Sequence, residues 1–342
     1  MSDESQFDHL SRRGFLVGGL ATALTVTAAG TTGLAWAAQS SKKNPRQLVV
    51  PVMGNYRINN AQTGCKVTVK VANGVRSMTS NGLPNARTGQ FPNPGCPNVI
   101  QAQSYAYSLP TTGTRITPTA FTLPQPFGIA VDGVLFEPFA AEYWNNDRNS
   151  GWQYYALGGG VNLGMDGNHA HVQPTGAYHY HGIPDGLLNS LNPKLHSPLV
   201  GWSGDGFPIY VTYGYADPAN AKSPIRALTS SYRLKSGTRP SGPGGPYNGW
   251  FNEDYEYVDG AGDLDQANGR FGVTPEYPKG TYHYVLTEGF PSVPNMFGGA
   301  LAASFVKTGP AGGAPGGGPD GSRPGGPPSG PPSGPPPGGP PR

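Results

Sequence analysis

Between about residues 46 and 308 the apolar positions alternate; they do not recur at a helical spacing. Val67, Val69 and Val71 are interleaved with Thr68 and Lys70, and Asn73-Gly74 then offers a two-residue hairpin turn before Val75-Arg76-Ser77-Met78. A period of two puts successive side chains on opposite faces, so this pattern predicts half-buried strands. Further apolar or alternating runs lie at Gly128–Val131, Gly133–Phe136, Trp152–Leu157, Ile209–Tyr213 and Tyr282–Leu286. Asp132-Gly133, Asp166-Gly167, Asp205-Gly206 and Asn268-Gly269 punctuate them as turns. No stretch sustains a 3.6-residue period, and a short helix is expected only around Asp185–Leu191. The expected fold is all-β or mainly β: one loop-rich sandwich or irregular barrel over residues 46–308, with few short helices.

The two ends read differently. Ser11-Arg12-Arg13-Gly14-Phe15-Leu16 sets paired arginines before a weakly apolar stretch to Leu34, and Ala35-Trp36-Ala37 supplies small residues for cleavage before Ala38. Residues 1–37 therefore read as a twin-arginine signal peptide. The competing reading, a membrane anchor, is weakened by Gly18, Gly19 and Gly30 and by the cleavage site. No later segment approaches the roughly 20 apolar residues of a span. The expectation is passage through the twin-arginine export machinery to the periplasm or the cell exterior. Export in the folded state suits a protein that takes up a cofactor or metal before crossing. In residues 309–342, Gly and Pro supply 26 of 34 positions, so nothing there can build a core and a disordered tail is expected. Its Ser-Gly-Pro-Pro repeat has period four, which excludes collagen. It reads as an inert solvated tail or as a spacer toward cell-envelope polymer.

Charged residues make up 13% of the chain and the formal charge is +3, so composition gives no reason to expect a nucleic-acid partner. Cys65 and Cys96 both follow the signal. In an oxidising compartment they would form one disulfide, worth roughly 3–4 kcal/mol for a loop of about thirty residues. Two free buried thiols are the alternative.

The histidines carry the chemistry. Four of the chain's seven fall in His169-Ala170-His171-Val172-Gln173-Pro174-Thr175-Gly176-Ala177-Tyr178-His179-Tyr180-His181. His-x-His on a strand puts both rings on one face. Pro174-Thr175-Gly176 fits a three-residue hairpin loop that sets Gln173 opposite Ala177. His171 then faces His179, His169 faces His181, and all four imidazoles share a side. A loop one residue shorter or longer would send the pairs to opposite faces. Four clustered imidazoles suit a transition metal, Cu or Zn foremost, over Ca or Mg. Three with an open position would make a catalytic site and four a structural one. The bland reading is a hairpin of ordinary polar residues. His196 and His283 are possible distant additions, and Tyr282-His283-Tyr284 echoes Tyr178-His179-Tyr180.

With these residues in view, the chain resembles the YHYH-domain proteins, named for Tyr178-His179-Tyr180-His181. The resemblance includes Thr79 to Asn85, Phe127 to Gly133, Asn168 to Leu188, Gly204 to Tyr210 and Asn268 to Pro278, nearly the whole domain. It implies an exported bacterial protein and no particular mechanism.

Asp205, in Gly204-Asp205-Gly206, is a possible ligand, second-layer partner or general base, and equally a turn residue. Glu276, Glu253 and Asp254 are further catalytic carboxylates to consider. The acidic loop Asp259, Asp263, Asp265, Asn268 fails the EF-hand pattern, because Leu264 stands where a turn glycine belongs. No serine-hydrolase elbow, His-Glu-x-x-His or phosphate-loop signature is present. Three functions remain: a metal-binding protein centred on His169, His171, His179 and His181; a metal-dependent hydrolase or oxidoreductase with Asp205 or Glu276 as base; and a glycan or surface-binding module gripping through Trp144, Trp152, Trp202 and Trp250.

Overall fold

A computed structural model describes residues 53–188 and 191–307, so the signal and tail readings lie outside the described residues. The fold is mainly β, with 34% strand, 6% helix and several sheets. The first four strands, β1 (Tyr56–Asn59), β2 (Lys66–Ala72), β3 (Val75–Ser80) and β4 (Tyr105–Pro110), form an antiparallel meander in chain order. The expected hairpin joins β2 and β3: Asn73 and Gly74 have φ of 50° and 74°, as a turn matching the strand twist requires. Alternation holds, with Val67, Val69 and Met78 buried on one face.

An eight-stranded mixed sheet carries the rest of the core. Its strands are β5 (Gly128–Ala130), β6 (Leu135–Phe136), β7 (Ala170–Val172), β8 (Tyr178–Tyr180), β9 (Gly201–Ser203), β10 (Pro208–Val211), β11 (Gly269–Gly272) and β12 (Thr281–Leu286). Their order across the sheet is β7-β8-β6-β5-β9-β10-β12-β11. β8 runs parallel to β6 and β10 parallel to β12; the other neighbours are antiparallel. Ile129, Leu135, Trp202 and Tyr210 pack with Val67, Val69, Met78 and Leu109, so the meander covers one face. Tyr178, Tyr180, Ile209, Val211, Tyr284 and Leu286 form the core on the other. Burial on both faces explains why these strands read as continuous apolar runs. Each large apolar side chain fully buried here contributes roughly 1.5–3 kcal/mol.

Three expectations change. The Trp152–Leu157 run contracts to a strand at Gln153–Tyr155. The helix α1 is a single turn, Asp185–Leu188, and Leu191 is not helical. The disulfide is absent: Cys65 and Cys96 are both free and buried, and they belong to different apolar clusters. Cys65 Sγ lies 3.5 Å from the Asp132 carbonyl, and Cys96 Sγ lies 3.4 Å from that of Val172. The two thiols lie on opposite faces of the central sheet, which is why the expected bridge does not form.

Candidate metal centre

The hairpin closes with the odd-length loop expected. Gln173 N donates to Ala177 O at 2.9 Å, Gly176 N donates to Gln173 O at 2.8 Å, and Gly176 is left-handed at φ 81°. The ladder pairs Ala170 with Tyr180, His171 with His179 and Val172 with Tyr178. Because β8 is paired on its other side with β6, His179 stands beside Leu135 inside the sheet.

His171, His179 and His181 converge, with one ring nitrogen from each lying within 4.8 Å of the others. His181 Nε2 is 2.9 Å from His179 Nε2 and 3.2 Å from His171 Nε2. The opposite ring edges settle the tautomers. His171 Nδ1 lies 2.9 Å from Leu163 O, and His179 Nδ1 lies 3.2 Å from Ala177 O. A carbonyl only accepts, so each Nδ1 carries the proton and each Nε2 presents a lone pair. One proton on His181 Nε2 would satisfy at most one of its two contacts. Burial pushes the pKa of His171 down to about 3 and of His179 down to about 4, and that of His181 well below the ordinary value, so none carries a second proton near neutrality. Two neutral imidazoles thus aim Nε2 lone pairs at the Nε2 of His181, a meeting of three nitrogens that a single proton satisfies only in part and a cation satisfies fully. Nitrogens around a tetrahedral zinc at ~2.0–2.1 Å are spaced by about 3.3 Å, close to the two separations found. The donor set fits a transition metal.

Glu137, directly after β6, is the carboxylate nearest these rings. Its Oε2 is 3.9 Å from His179 Nε2 and accepts from Gln173 Nε2 at 2.8 Å. Burial raises its pKa to about 7. Neither Glu137 nor Gln173 stood out in the sequence. The available signal was a lone acid closing the apolar run Val134-Leu135-Phe136.

His169 stays outside the cluster although its backbone is in register: His181 N donates to His169 O at 2.7 Å. Its φ of 53° swings the ring away, so that Nδ1 meets Ile183 O at 2.9 Å and Asp185 at 4.0 Å. His283, on β12, and His196, in the connection before β9, both pack beside Tyr210, away from the cluster. Asp205 is fully buried and accepts from Ser203 Oγ and Tyr284 OH, with burial raising its pKa. Glu276 accepts from Tyr210 OH at 2.7 Å. Glu253 accepts from Gln153 N at 2.9 Å, and Asp254 is ion-paired with Arg239 at 2.7 Å. In the acidic loop, Asp263 is paired with Arg226 and Asp265 accepts from backbone N–H of Ala267 and Gly269. Of the four candidate tryptophans, Trp152 and Trp202 are buried in the core, Trp144 is half-buried and Trp250 is exposed.

Among the described residues no helix is long and apolar enough to cross a membrane. No curated protein and no solved structure matches the chain. The family model for YHYH proteins matches residues 106–299, which takes in the whole eight-stranded sheet and all three clustered histidines. This chain belongs to the YHYH protein family.

Proposed function

We propose that this protein binds a transition-metal ion through the Nε2 atoms of His171, His179 and His181 and, exported by the twin-arginine route, does so in the periplasm or outside the cell. One observation carries the reading: the Nε2 atoms of three neutral imidazoles, His179 and His181 buried and His171 half-buried, meet at a common point with at most one proton among them. Imidazole donors favour Zn or Cu. The paired arginines at Arg12-Arg13 support the location, since folded export allows the site to be filled before crossing.

A second reading, a metal-dependent hydrolase or oxidoreductase, is favoured by Glu137. Bound there, an ion would supply Lewis-acid activation. Glu137 would hold the transferred proton on its carboxylate, which Gln173 orients at 2.8 Å, and its pKa of about 7 suits both giving and taking that proton. Asp205 and Glu276 are engaged elsewhere, so Glu137 is the acid-base group of this reading.

Elemental analysis of protein purified from its native envelope tests the proposal. The wild type should carry close to one transition-metal ion per chain, and the double variant His179→Ala, His181→Ala none. Equal metal in the two would remove the proposal's basis. Glu137→Gln should keep the metal; if it also keeps every metal-dependent activity found, the enzymatic reading fails.

A further inference from the structure

The sheet that carries the metal hairpin is built twice. Asp132-Gly133 joins β5 to β6 and Asp205-Gly206 joins β9 to β10, with both glycines left-handed at φ 82° and 86°. These two hairpins lie antiparallel at the centre of the sheet through β5 and β9. Each is flanked by another hairpin: β8 runs parallel to β6, and β12 runs parallel to β10. Tyr178-His179-Tyr180 therefore corresponds to Tyr282-His283-Tyr284. Side chains keep the correspondence, since Tyr180 OH donates to Asp132 as Tyr284 OH donates to Asp205.

Register then shows what changed between the copies. His171 faces His179, whereas Arg270 faces His283. Tyr180 pairs with Phe136 and Tyr284 with Ile209, so Glu137 corresponds to Tyr210 and His181 to Val285. The second copy has lost two imidazoles and the carboxylate and gained a guanidinium. Arg270 is only 8% exposed, and no carboxylate lies within ion-pair distance of it among the described residues. Asp263 is taken by Arg226, and Glu276 by Tyr210. Arg270 Nη2 donates to Tyr215 O at 2.8 Å, but its Nε–H has no protein partner. A buried cation without a counter-charge is costly, which points to an anion.

The neighbouring imidazoles narrow the anion's chemistry. His283 Nδ1 lies 3.2 Å from Thr281 O and His196 Nδ1 2.8 Å from Ser197 O, so both Nε2 atoms are acceptors, and both are buried without a partner. The Tyr210 ring packs edge-on against both, its centroid 5.1 Å from that of His196 and 5.5 Å from that of His283. A ligand must offer a charged acceptor to Arg270 and a hydroxyl donor to an imidazole. We propose that this second copy is an anion site for a small protonated oxyanion, of the bicarbonate or hydrogenphosphate type, held by Arg270, His283 and His196.

Calorimetric titration of the mature protein at neutral pH with phosphate, bicarbonate and sulfate tests this. Phosphate or bicarbonate should bind, the tighter of the two identifying the ligand, and sulfate, which has no proton to donate, should bind at least roughly tenfold more weakly. Arg270→Lys, which keeps the charge and is the variant expected to fold, should weaken the binding by roughly tenfold or more, and His283→Gln should weaken it too, both with metal content unchanged. Absence of binding by phosphate and bicarbonate alike, sulfate binding as tightly, or an Arg270→Lys protein with unaltered affinity would overturn the proposal. Loss of metal from His179→Ala, His181→Ala would leave this result untouched, so the two sites fail independently.

Discussion

Replacing His181 by valine should raise the stability of the metal-free protein while abolishing its response to metal. The structure gives the reason for the opposite signs. His181 is 1% exposed, its Nδ1 has no partner, and its Nε2 stands 2.9 Å and 3.2 Å from two nitrogens that present lone pairs. A buried polar atom left unsatisfied costs about 1–3 kcal/mol. Valine removes it, and Val285 occupies the corresponding position of the second copy, fully buried. The volume lost is small, so the net gain should be about 1–2 kcal/mol. For a domain of this size that is a rise in Tm of roughly 2–8 °C. A thermal scan with chelator, then with zinc at about 100 times Kd, reads both effects. The wild type should gain about 2.7 kcal/mol from the ion; His181→Val should start higher and gain nothing. A metal-free variant clearly less stable than the wild type would refute the argument from converging lone pairs. So would a variant that keeps the zinc shift.

The remaining expectations concern pH, the thiols and the hairpin. Burial, with Arg270 alongside, lowers the His283 pKa to about 3, so on acidification the unfolded chain takes up a proton from pH 6.5 downward and the folded one does not. Its contribution is fully present above pH 6.5 and falls by about 2 kcal/mol between pH 7 and 5. Urea unfolding should show the stability difference between wild type and His283→Gln shrinking by that amount, and a pH-independent difference would contradict a buried neutral ring. Cys65 and Cys96 should both be alkylated in denatured protein without reductant and neither in the native state; an intact mass lighter by two hydrogen atoms would mean that they are bridged after all. At Gly176 an added Cβ would meet Gln101 Cβ at 2.5 Å on a left-handed backbone, so Gly176→Val should cost about 1–3 kcal/mol and weaken metal binding by disturbing the register. Unchanged calorimetric affinity for zinc in that variant would separate the turn from the site.

What could be read from the chain alone was whatever short-range backbone geometry controls. Period-two alternation marked the strands, Asn73-Gly74 and the Asp-Gly pairs marked turns, and the three residues between Gln173 and Ala177 set the register that brings His171 against His179. Parity of a short loop is a local constraint, so it survives into the fold. Tertiary structure decided the rest. Glu137 reaches the histidines only because β8 docks parallel to β6, a pairing set by packing across a long connection. The left-handed backbone at His169 withdraws a ring that a simple alternation would have included. Cys65 and Cys96 part company because the central sheet lies between the two apolar layers that enclose them. The echo of Tyr178-His179-Tyr180 in Tyr282-His283-Tyr284 was visible as letters; that the two strands are equivalent halves of one sheet, with Arg270 where His171 should be, is a fact of topology that no local pattern encodes.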